Sequence, residues 1–348
     1  MKELYRSRSV LGDWKSREEV MYEIRKNPDV YMVFQNLNRD FQERYIQFCM
    51  GVRGVMMTYD PFFKHIFDVE KHPERLSDFV SCIVKKKLQV KHVLPSEHRR
   101  ISEKGSLLVM DILAETESGE LVNVEIQKIG YLFPGQRASC YAADMIMRQY
   151  EREKSNRGEK FTYKDMKKVY TIVIIEKSGK EFKKHPNHYV HGGTWKFSTG
   201  LELDMLEEFY YVPLDIFFDI EDNKIEETKM SELAAWLYFI GSDQLRHIQK
   251  VVERYPKFEE MYREIVRFRY HPEEAIGMFS EALKVLDENT VTYMVEEMKQ
   301  ELEEKDKKLE EKDKKLEEKD IKLLEKERAL EESRHEIERL KELLQAEK

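Results

Sequence analysis

Two short apolar runs joined by a glycine-containing turn occupy residues 108–127 and restrict the fold more than any other feature of the chain. Apolar and polar residues alternate along both runs, which predicts two half-buried β-strands. Between them, Glu117-Ser118-Gly119 suits a three-residue hairpin loop in which the glycine adopts the left-handed conformation. We therefore expect an antiparallel hairpin, so at least part of this chain folds around a β-sheet.

The predicted turn also determines which residues of the two strands face each other. It pairs Thr116 with Glu120, and the same register sets Asp111 directly opposite Glu125. Opposed Cβ atoms are about 5 Å apart, and like charges at such positions are destabilising. A shared divalent cation would compensate, because Mg²⁺ binds carboxylate oxygens and keeps several waters. The alternative is that both acids face solvent on the polar side of the hairpin.

Helices and strands flank the predicted hairpin in a definite order. Residues 58–84 have the apolar spacing of two short helices, and residues 88–94 suggest a strand. Pro134 begins a segment with helical spacing, and residues 169–178 form a β-branched run that predicts a buried central strand. Helix, three strands, helix and strand together predict an α/β fold with a mixed sheet.

The rest of the chain divides into further segments. Residues 1–50 are predicted to form a helical leader, residues 51–185 the α/β core and residues 186–290 a mainly helical portion. Within that portion, residues 206–218 could form another strand. The last segment, 291–348, repeats the pattern ELEEKDK and keeps leucine or isoleucine at every seventh position from Leu302 onward. This spacing predicts one continuous charged helix.

The second core position of these heptads is occupied by charged residues. It holds Lys305 and its repeats if the leucines are at position a, and Asp306 and its repeats if they are at d. One apolar residue per heptad predicts a weak coiled coil with a modest tendency to form a homo-oligomer. Pairs four residues apart, such as Glu303 with Lys307, would support an isolated helix.

Composition restricts the setting of the protein. The three cysteines are far apart, which argues for a reducing compartment and against a disulfide framework or a cysteine-based zinc site. The N-terminus has no apolar signal region, and no run of 18 apolar residues occurs, so we expect a cytoplasmic protein without a membrane span. His185, His188 and His191 offer zinc ligands, but their loop context argues against such a site.

The net charge of −8 looks unfavourable for binding nucleic acid, but the charge is unevenly distributed. Residues 51–185 hold 25 Lys and Arg against 19 Asp and Glu, whereas residues 199–302 hold 11 against 24. A basic region of this kind would suit a nucleic-acid footprint, in which Lys85–Lys87 and Arg99-Arg100 could contact phosphates. By itself, however, the asymmetry favours an ordinary dipolar protein.

The hairpin and its neighbours together resemble a known motif. Asp111 in one strand, a glycine turn and Glu125-Ile126-Gln127 in the next are similar to the motif of the PD-(D/E)XK nuclease superfamily. Three more segments agree: the Asp-x-x-Phe-Lys-x-x-Phe pattern of residues 60–67, an Arg-x-x-x-Tyr pattern after the hairpin, and the strand at residues 169–178. Gln in place of the usual Lys resembles the family of nuclease-related transposases, also called recombination-promoting nucleases, over residues 55–240.

This resemblance implies a restriction-endonuclease-like αβββαβ core and DNA cleavage that depends on Mg²⁺ or Mn²⁺. Asp111 and Glu125 would be the metal ligands, with the carbonyl of Ile126 as a third ligand. Gln127 would stand at the position of the catalytic Lys. It has no positive charge, although it can orient a water and form a hydrogen bond to a phosphate.

Other residues of the resemblance have supporting roles or remain open. Lys64 is a candidate for the missing positive charge, since its helix could lie against the sheet, whereas alternation points Lys128 to the opposite face. Arg137 and Tyr141 lie one helical turn apart. They would contact a phosphate or hold the carboxylates, or else they are simply a surface Arg and a buried Tyr.

Three functional hypotheses follow from the sequence. The first is a metal-dependent DNA endonuclease associated with recombination or mobile elements. The second, motivated by the missing Lys, is a catalytically inactive relative that binds DNA or a protein partner. The third is a scaffold built around the charged tail, for which removal of residues 299–348 would destroy function.

Overall fold

The computed structural model describes residue 12 and residues 14–95, 111–129, 134–225 and 229–346. The chain divides into two compact units, Met1–Val291 and Thr292–Lys348. The segments predicted as 1–50, 51–185 and 186–290 therefore lie within the first unit. The end of the first predicted hairpin strand before Asp111, and the basic pair at positions 99 and 100, lie outside the described residues.

The described part of residues 1–50 forms α1 (Arg17–Lys26), α2 (Pro28–Asn36) and α3 (Arg39–Met50). Ser16 caps α1 by accepting a hydrogen bond from the amide of Glu19, whose side chain accepts one from Ser16 in return. Gly51 ends α3 with a φ of 82°, a left-handed conformation that glycine adopts without strain. The apolar faces of all three helices pack into the main core of the first unit.

The predicted order of helix, three strands, helix and strand is confirmed. It consists of α4 (Asp60–Ile66), α5 (Pro73–Val84), β1 (Val90–Val93), β2 (Ile112–Thr116), β3 (Leu121–Ile129), α6 (Pro134–Arg157) and β4 (Val169–Lys177). The two helices predicted for residues 58–84 are α4 and α5. Pro134 begins α6, where its missing amide proton is not needed.

The sheet continues into the portion predicted to be mainly helical. The remaining elements are α7 (Lys180–Lys183), β5 (His191–Gly193), β6 (Glu207–Pro213), α8 (Leu214–Glu221), α9 (Glu232–Gly241), α10 (Leu245–Arg254), α11 (Lys257–Arg267) and α12 (Pro272–Ala346). Short 3₁₀ helices occupy Gly158–Lys160, Tyr163–Asp165, Asp222–Lys224 and Phe268–Tyr270. The strand suggested at residues 206–218 is a strand only in its first half. A short apolar run does not by itself distinguish a strand from a buried helix.

The six strands that the structure describes form one mixed sheet in the order β1-β2-β3-β4-β6-β5. Strand β2 pairs antiparallel with both β1 and β3, and β4 pairs parallel with both β3 and β6. The predicted α/β fold, with its restriction-endonuclease-like order of elements, is therefore confirmed. In this order β3 and β4 occupy the centre of the sheet, where strands are covered on both faces.

Alternation along the strands gives the sheet two buried faces. On one face, Ile112, Val124 and Ile172 belong to the large core that the helices α1–α5 and α8–α12 supply. On the other face, Leu113 and Leu121 pack against α6, where Tyr141, Ala142 and Met145 complete a smaller cluster. This smaller face carries Asn123, Glu125 and Gln127, so α6 covers the polar side of the hairpin.

The long helix α12 runs from Pro272 to Ala346, and its part beyond Thr292 makes up the second compact unit. The continuous helix predicted for the heptad repeats is therefore present through Ala346. None of the helices that the structure describes is both long enough and apolar enough to cross a membrane.

Candidate metal-binding site

The hairpin between β2 and β3 has the register that its turn predicts. The two strands pair antiparallel, and the numbers of opposed residues sum to 236, as in the pair Ile112 and Val124. Gly119 has a φ of 85°, in the left-handed region, as expected for the closing residue of this loop. Continued by one residue beyond β2, this register sets Asp111 opposite Glu125.

Two hydrogen bonds across the hairpin hold the carboxylates of Asp111 and Glu125 in place. The amide of Ile126 donates to Oδ2 of Asp111 at 2.7 Å, and the amide of Asp111 donates to Oε1 of Glu125 at 3.1 Å. Each carboxylate thus accepts a backbone amide from the opposite strand, at the point where the regular ladder of β2 and β3 ends. These bonds fix the position of both groups and leave the second oxygen of each carboxylate outside them.

Burial and mutual repulsion disfavour a negative charge on this pair. Glu125 is only 5% exposed, and burial followed by the neighbouring Asp111 raises the pKa of its carboxyl well above the usual range. Burial, and then the charge of Asp60, also raises the pKa of Asp111. The amide of Ile126 opposes this shift, as do two lysines. A bound cation would remove the penalty by pairing both charges.

Gln127 adds a buried polar group to the same face. Its side chain is 3% exposed, and its Oε1 atom is buried without a hydrogen-bond partner among the described residues. A buried acceptor without a donor costs about 1–3 kcal/mol. Because Gln127 follows Glu125 by two residues on β3, this oxygen points to the side of the sheet that holds the carboxylates.

The sequence-predicted pair on α6 lies beside Glu125. Arg137 donates from Nη2 to the hydroxyl of Tyr141 at 3.3 Å, as expected for residues one turn apart. The positive charge of Arg137 favours the ionised form of Glu125, and burial followed by the charge of Glu125 raises the pKa of Tyr141. The sequence left open whether these residues support the acids or are simply a surface Arg and a buried Tyr. Tyr141 is buried and Arg137 is half-buried, and both interact electrostatically with Glu125.

Lys64 lies within electrostatic reach of Asp111 and is ion-paired on its own helix. Its Nζ is 2.9 Å from Oδ2 of Asp60, one turn earlier in α4. The charge of Lys64 lowers the pKa of Asp111, whereas that of Asp60 raises it. Sequence reasoning had not included Asp60 among the site residues. The available signal was its place as the first residue of the Asp-x-x-Phe-Lys-x-x-Phe pattern.

Lys128 points to the opposite face of the sheet, as the alternation of β3 predicts. Its ammonium donates to the hydroxyl of Thr58 at 3.0 Å, pairs with Glu176 of β4, and lies 4.2 Å from the ring centre of Tyr59. Burial lowers the pKa of this lysine, and Glu176 acts in the opposite direction. Lys128 is therefore held by a polar cluster behind the site and is not directed at the space in front of Glu125 and Gln127.

Other candidates from the sequence lie apart from the acidic pair. A cleft of about 570 Å³ is lined by Lys85–Lys87, by α5 and by the start of β1, but neither carboxylate of the pair lines it. Lys86 is ion-paired with Glu120 at 2.7 Å. His185 and His191 have ring centres 5.8 Å apart, with the pKa of His191 lowered by burial.

The donor set around the acidic pair suits a hard divalent cation. Across the described ranges, no group of three or more His, Cys, Asp and Glu residues is gathered for metal binding. Mg²⁺, however, is usually held by one or two carboxylates, with waters and substrate phosphates completing its octahedron. The buried Glu125 and the half-buried Asp111, both with raised pKa values and next to the unpartnered oxygen of Gln127, meet that requirement.

Comparisons with known proteins identify the family. A family model described as PD-(D/E)XK nuclease family transposase matches residues 57–294. Searches of curated proteins and of solved structures found no match. The matched range includes the hairpin, α4, α6 and the whole sheet.

Proposed function

Because this chain belongs to the PD-(D/E)XK nuclease family transposases, we propose that it is a metal-dependent DNA endonuclease associated with recombination or mobile elements. Membership makes a nuclease-type function the premise, with DNA as the substrate class. The observation that carries the finer proposal is the pair Asp111 and Glu125. Their carboxylates are opposed, partly or fully buried, and fixed by two cross-strand hydrogen bonds.

We assign the metal to Asp111, Glu125 and the carbonyl of Ile126, with Mg²⁺ as the ion and Mn²⁺ as its substitute. In an extended strand, the N–H and C=O of one residue point to the same side. The amide of Ile126 points to Asp111, so its carbonyl lies on that side as well. The bound ion would lower the pKa of water and neutralise charge that develops on the phosphate.

The side chains around the pair have distinct roles in this proposal. Asp111 and Glu125 orient the ion, and the hydrogen bonds that they accept reduce their freedom to move before substrate binds. Oε1 of Gln127 accepts a hydrogen bond from the attacking water and thereby orients it, while its amide nitrogen can donate to a phosphate oxygen. Arg137 and Lys64 supply the positive charge that Gln127 lacks.

The substrate would be held mainly through its backbone. Residues 51–185 have six more basic than acidic residues, 25 against 19, and this excess would contact phosphates. We also propose that the protein acts in the cytoplasm, and that the exposed leucines of α12 allow it to form a homo-oligomer.

A plasmid-nicking assay tests the proposed activity. Supercoiled DNA is incubated with the wild type and with Asp111→Ala and Glu125→Ala, each with and without Mg²⁺. We expect nicking by the wild type only with Mg²⁺, and a loss of at least about 100-fold in either variant. Glu117→Gln is the matched control, since Glu117 is an exposed acid in the turn of the same hairpin. Equal nicking by all four proteins would rule out this site.

A second candidate is a catalytically inactive relative that binds DNA or a protein partner. The observation in its favour is Gln127, which leaves the usual position of a catalytic Lys uncharged. Binding of DNA without cleavage in either Mg²⁺ or Mn²⁺ would support it over the endonuclease. Cleavage that depends on Asp111 would exclude it.

A further inference from the structure

The second compact unit presents an apolar seam to solvent along α12. Its members recur at every seventh position and are 53–61% exposed: Leu302, Leu309, Leu316, Leu323, Leu330 and Ile337. Earlier on the same helix, Val295 and Met298 are 40% and 54% exposed. Residues seven apart lie on one side of a helix, so these side chains form a single line.

The two ends of the seam fix its heptad frame. If the leucines occupy position a, Val295 also falls at a, while Met298 and Leu340 fall at d. If the leucines occupy d, position a holds only charged residues from Lys299 to Lys341. Only the first frame places apolar residues at both a and d at each end of the seam, so we adopt it.

In this frame, opposite charges line the two sides of the seam. One side is basic, with lysine at d and g: Lys305, Lys308, Lys312, Lys315, Lys319 and Lys322. The other side is acidic at b and e: Glu303, Asp306, Glu310, Asp313, Glu317 and Asp320. A basic stripe and an acidic stripe thus accompany the leucines on opposite flanks for three heptads.

We propose that residues 295–344 of α12 pair with the same residues of a second copy as a parallel, in-register coiled coil. When two identical helices pack in parallel, the g flank of each lies beside the e flank of the other. Lys308 then faces Asp313 of the second copy, and Lys315 faces Asp320. In an antiparallel pair, g meets g and e meets e, so lysines would face lysines and acids would face acids.

Register follows from the ends of the seam. The middle heptads are nearly identical, so the flanking charges would also match after a shift of seven residues. Such a shift would set Met298 opposite Lys305 at position d, instead of opposite another Met298. The in-register pair keeps the apolar d residues together at both ends. The lysines at position d between these ends lower the stability of the coil. Their long side chains limit this loss, because the ammonium groups can reach the acidic flank.

This pairing specifies the homo-oligomer proposed above and does not depend on nuclease activity. In a parallel pair, the chains enter the coil from the same end. Two copies of the first unit would then be tethered close to each other, at a raised effective concentration. The attraction between the flanks is electrostatic and exposed, so the dimer should weaken as salt is added.

Charge exchange in the full-length protein tests the role of the flanks. Sedimentation equilibrium at low salt should show a wild-type dimer, and Asp313→Lys/Asp320→Lys/Glu327→Lys, which places lysines opposite Lys308, Lys315 and Lys322, should weaken it at least about tenfold. The control adds Lys308→Asp/Lys315→Asp/Lys322→Asp. It exchanges the charges between positions g and e, keeps the wild-type net charge and should restore the dimer. Circular dichroism verifies that all three remain helical. A monomeric wild type, or equal association of the three proteins, would overturn the proposal.

Cysteine cross-linking tests the orientation. Leu302→Cys and Ile337→Cys are each prepared with Cys140→Ser, because Cys140 is an exposed native cysteine. In a parallel in-register dimer, each variant should form a disulfide-linked dimer by itself, and mixing the two should add no 302–337 link. Cross-linking that appears only in the mixture would show an antiparallel pair and overturn the orientation. Neither outcome bears on DNA cleavage, so this proposal and the nuclease can fail separately.

Discussion

Asp111 and Glu125 are two acids held together in a place that disfavours their charges. Their backbone bonds keep them opposed, while burial raises the pKa values of both groups. Two ionised carboxylates arranged in this way destabilise the fold, and the proposed cation would offset that cost. Perturbed acids of this kind are typical of functional sites.

The repulsion predicts how the metal-free protein responds to pH. A carboxyl whose pKa is raised in the fold contributes stability at low pH and loses it as pH rises from about 4 through the raised pKa. Relative to Asp111→Asn/Glu125→Gln, the metal-free wild type should therefore lose thermal stability as pH rises. At neutral pH, Asp111→Asn alone should raise the melting temperature by on the order of 2–4 °C. Differential scanning fluorimetry in chelator measures both, and parallel pH profiles would contradict the repulsion.

Gln127 gives a second prediction at this scale. Gln127→Ala should reduce nicking by about 10–100-fold, because the water loses an orienting acceptor, while leaving the affinity for Mn²⁺ unchanged. Gln127→Lys, which provides the usual charge of the superfamily, is the companion variant and should retain cleavage. Full activity of Gln127→Ala would remove this residue from the mechanism.

The sequence predicted much of this site and missed part of it. Gly119 in a three-residue loop was enough to set the register, because the turn type determines the pairing of the strands. The sequence pattern could not predict that α6 covers the acids, since burial of a strand face depends on distant segments. For the same reason, the effect of Asp60 on Asp111 became visible only from the fold.

Among the elements, the central strand β3 carries buried polar side chains on both of its faces. It pairs with both β2 and β4, and its alternate residues supply Glu125 and Gln127 on one face and Lys128 on the other. The helix α4 follows Thr58 and Tyr59, which hold Lys128. The polar cluster behind the sheet therefore ties β3 to the segment that also carries Lys64.

Removal of Lys128 should cost stability and not chemistry. Lys128→Met leaves Glu176 without its partner, which should lower the free energy of unfolding by about 2–3 kcal/mol. Lys128→Met/Glu176→Gln is the control and should recover part of the loss, because no charge is left unpaired. Urea unfolding measures both, and a single variant as stable as the double variant would contradict this role.

The order of elements was predictable because periodicity changes clearly between the helices and strands of residues 58–178. A strand was suggested at residues 206–218, but neither its end at Pro213 nor the addition of β5 to the sheet was predictable. Residues 206–218 form one apolar run, but the structure divides it into β6 and α8 after Pro213. Local hydrophobicity does not show where such a run leaves the sheet, since both halves contribute buried side chains, such as Val212 in β6 and Phe217 in α8.

For the whole molecule, the two proposed functions are assigned to different compact units. The residues assigned to metal binding all lie in Met1–Val291, whereas the heptad seam, which begins at Val295, lies in Thr292–Lys348. The proposed nuclease and the proposed coiled coil can therefore be tested independently. The scaffold hypothesis, by contrast, makes the tail indispensable.

Truncation distinguishes these alternatives. A protein lacking residues 299–348 should become monomeric but retain Mg²⁺-dependent nicking, within about threefold per site at saturating protein. Gel-based nicking and sedimentation measure the two properties. Complete loss of activity in a truncated protein that remains folded by circular dichroism would favour the scaffold.

The most direct test of the central claim is calorimetric titration with Mn²⁺. We expect the wild type and Glu117→Gln to bind the ion, and Asp111→Ala and Glu125→Ala to lose that binding while remaining folded. Binding should also release protons, because both carboxyls have raised pKa values in the metal-free protein. Undiminished binding in both alanine variants would show that the opposed carboxylates are not the metal site.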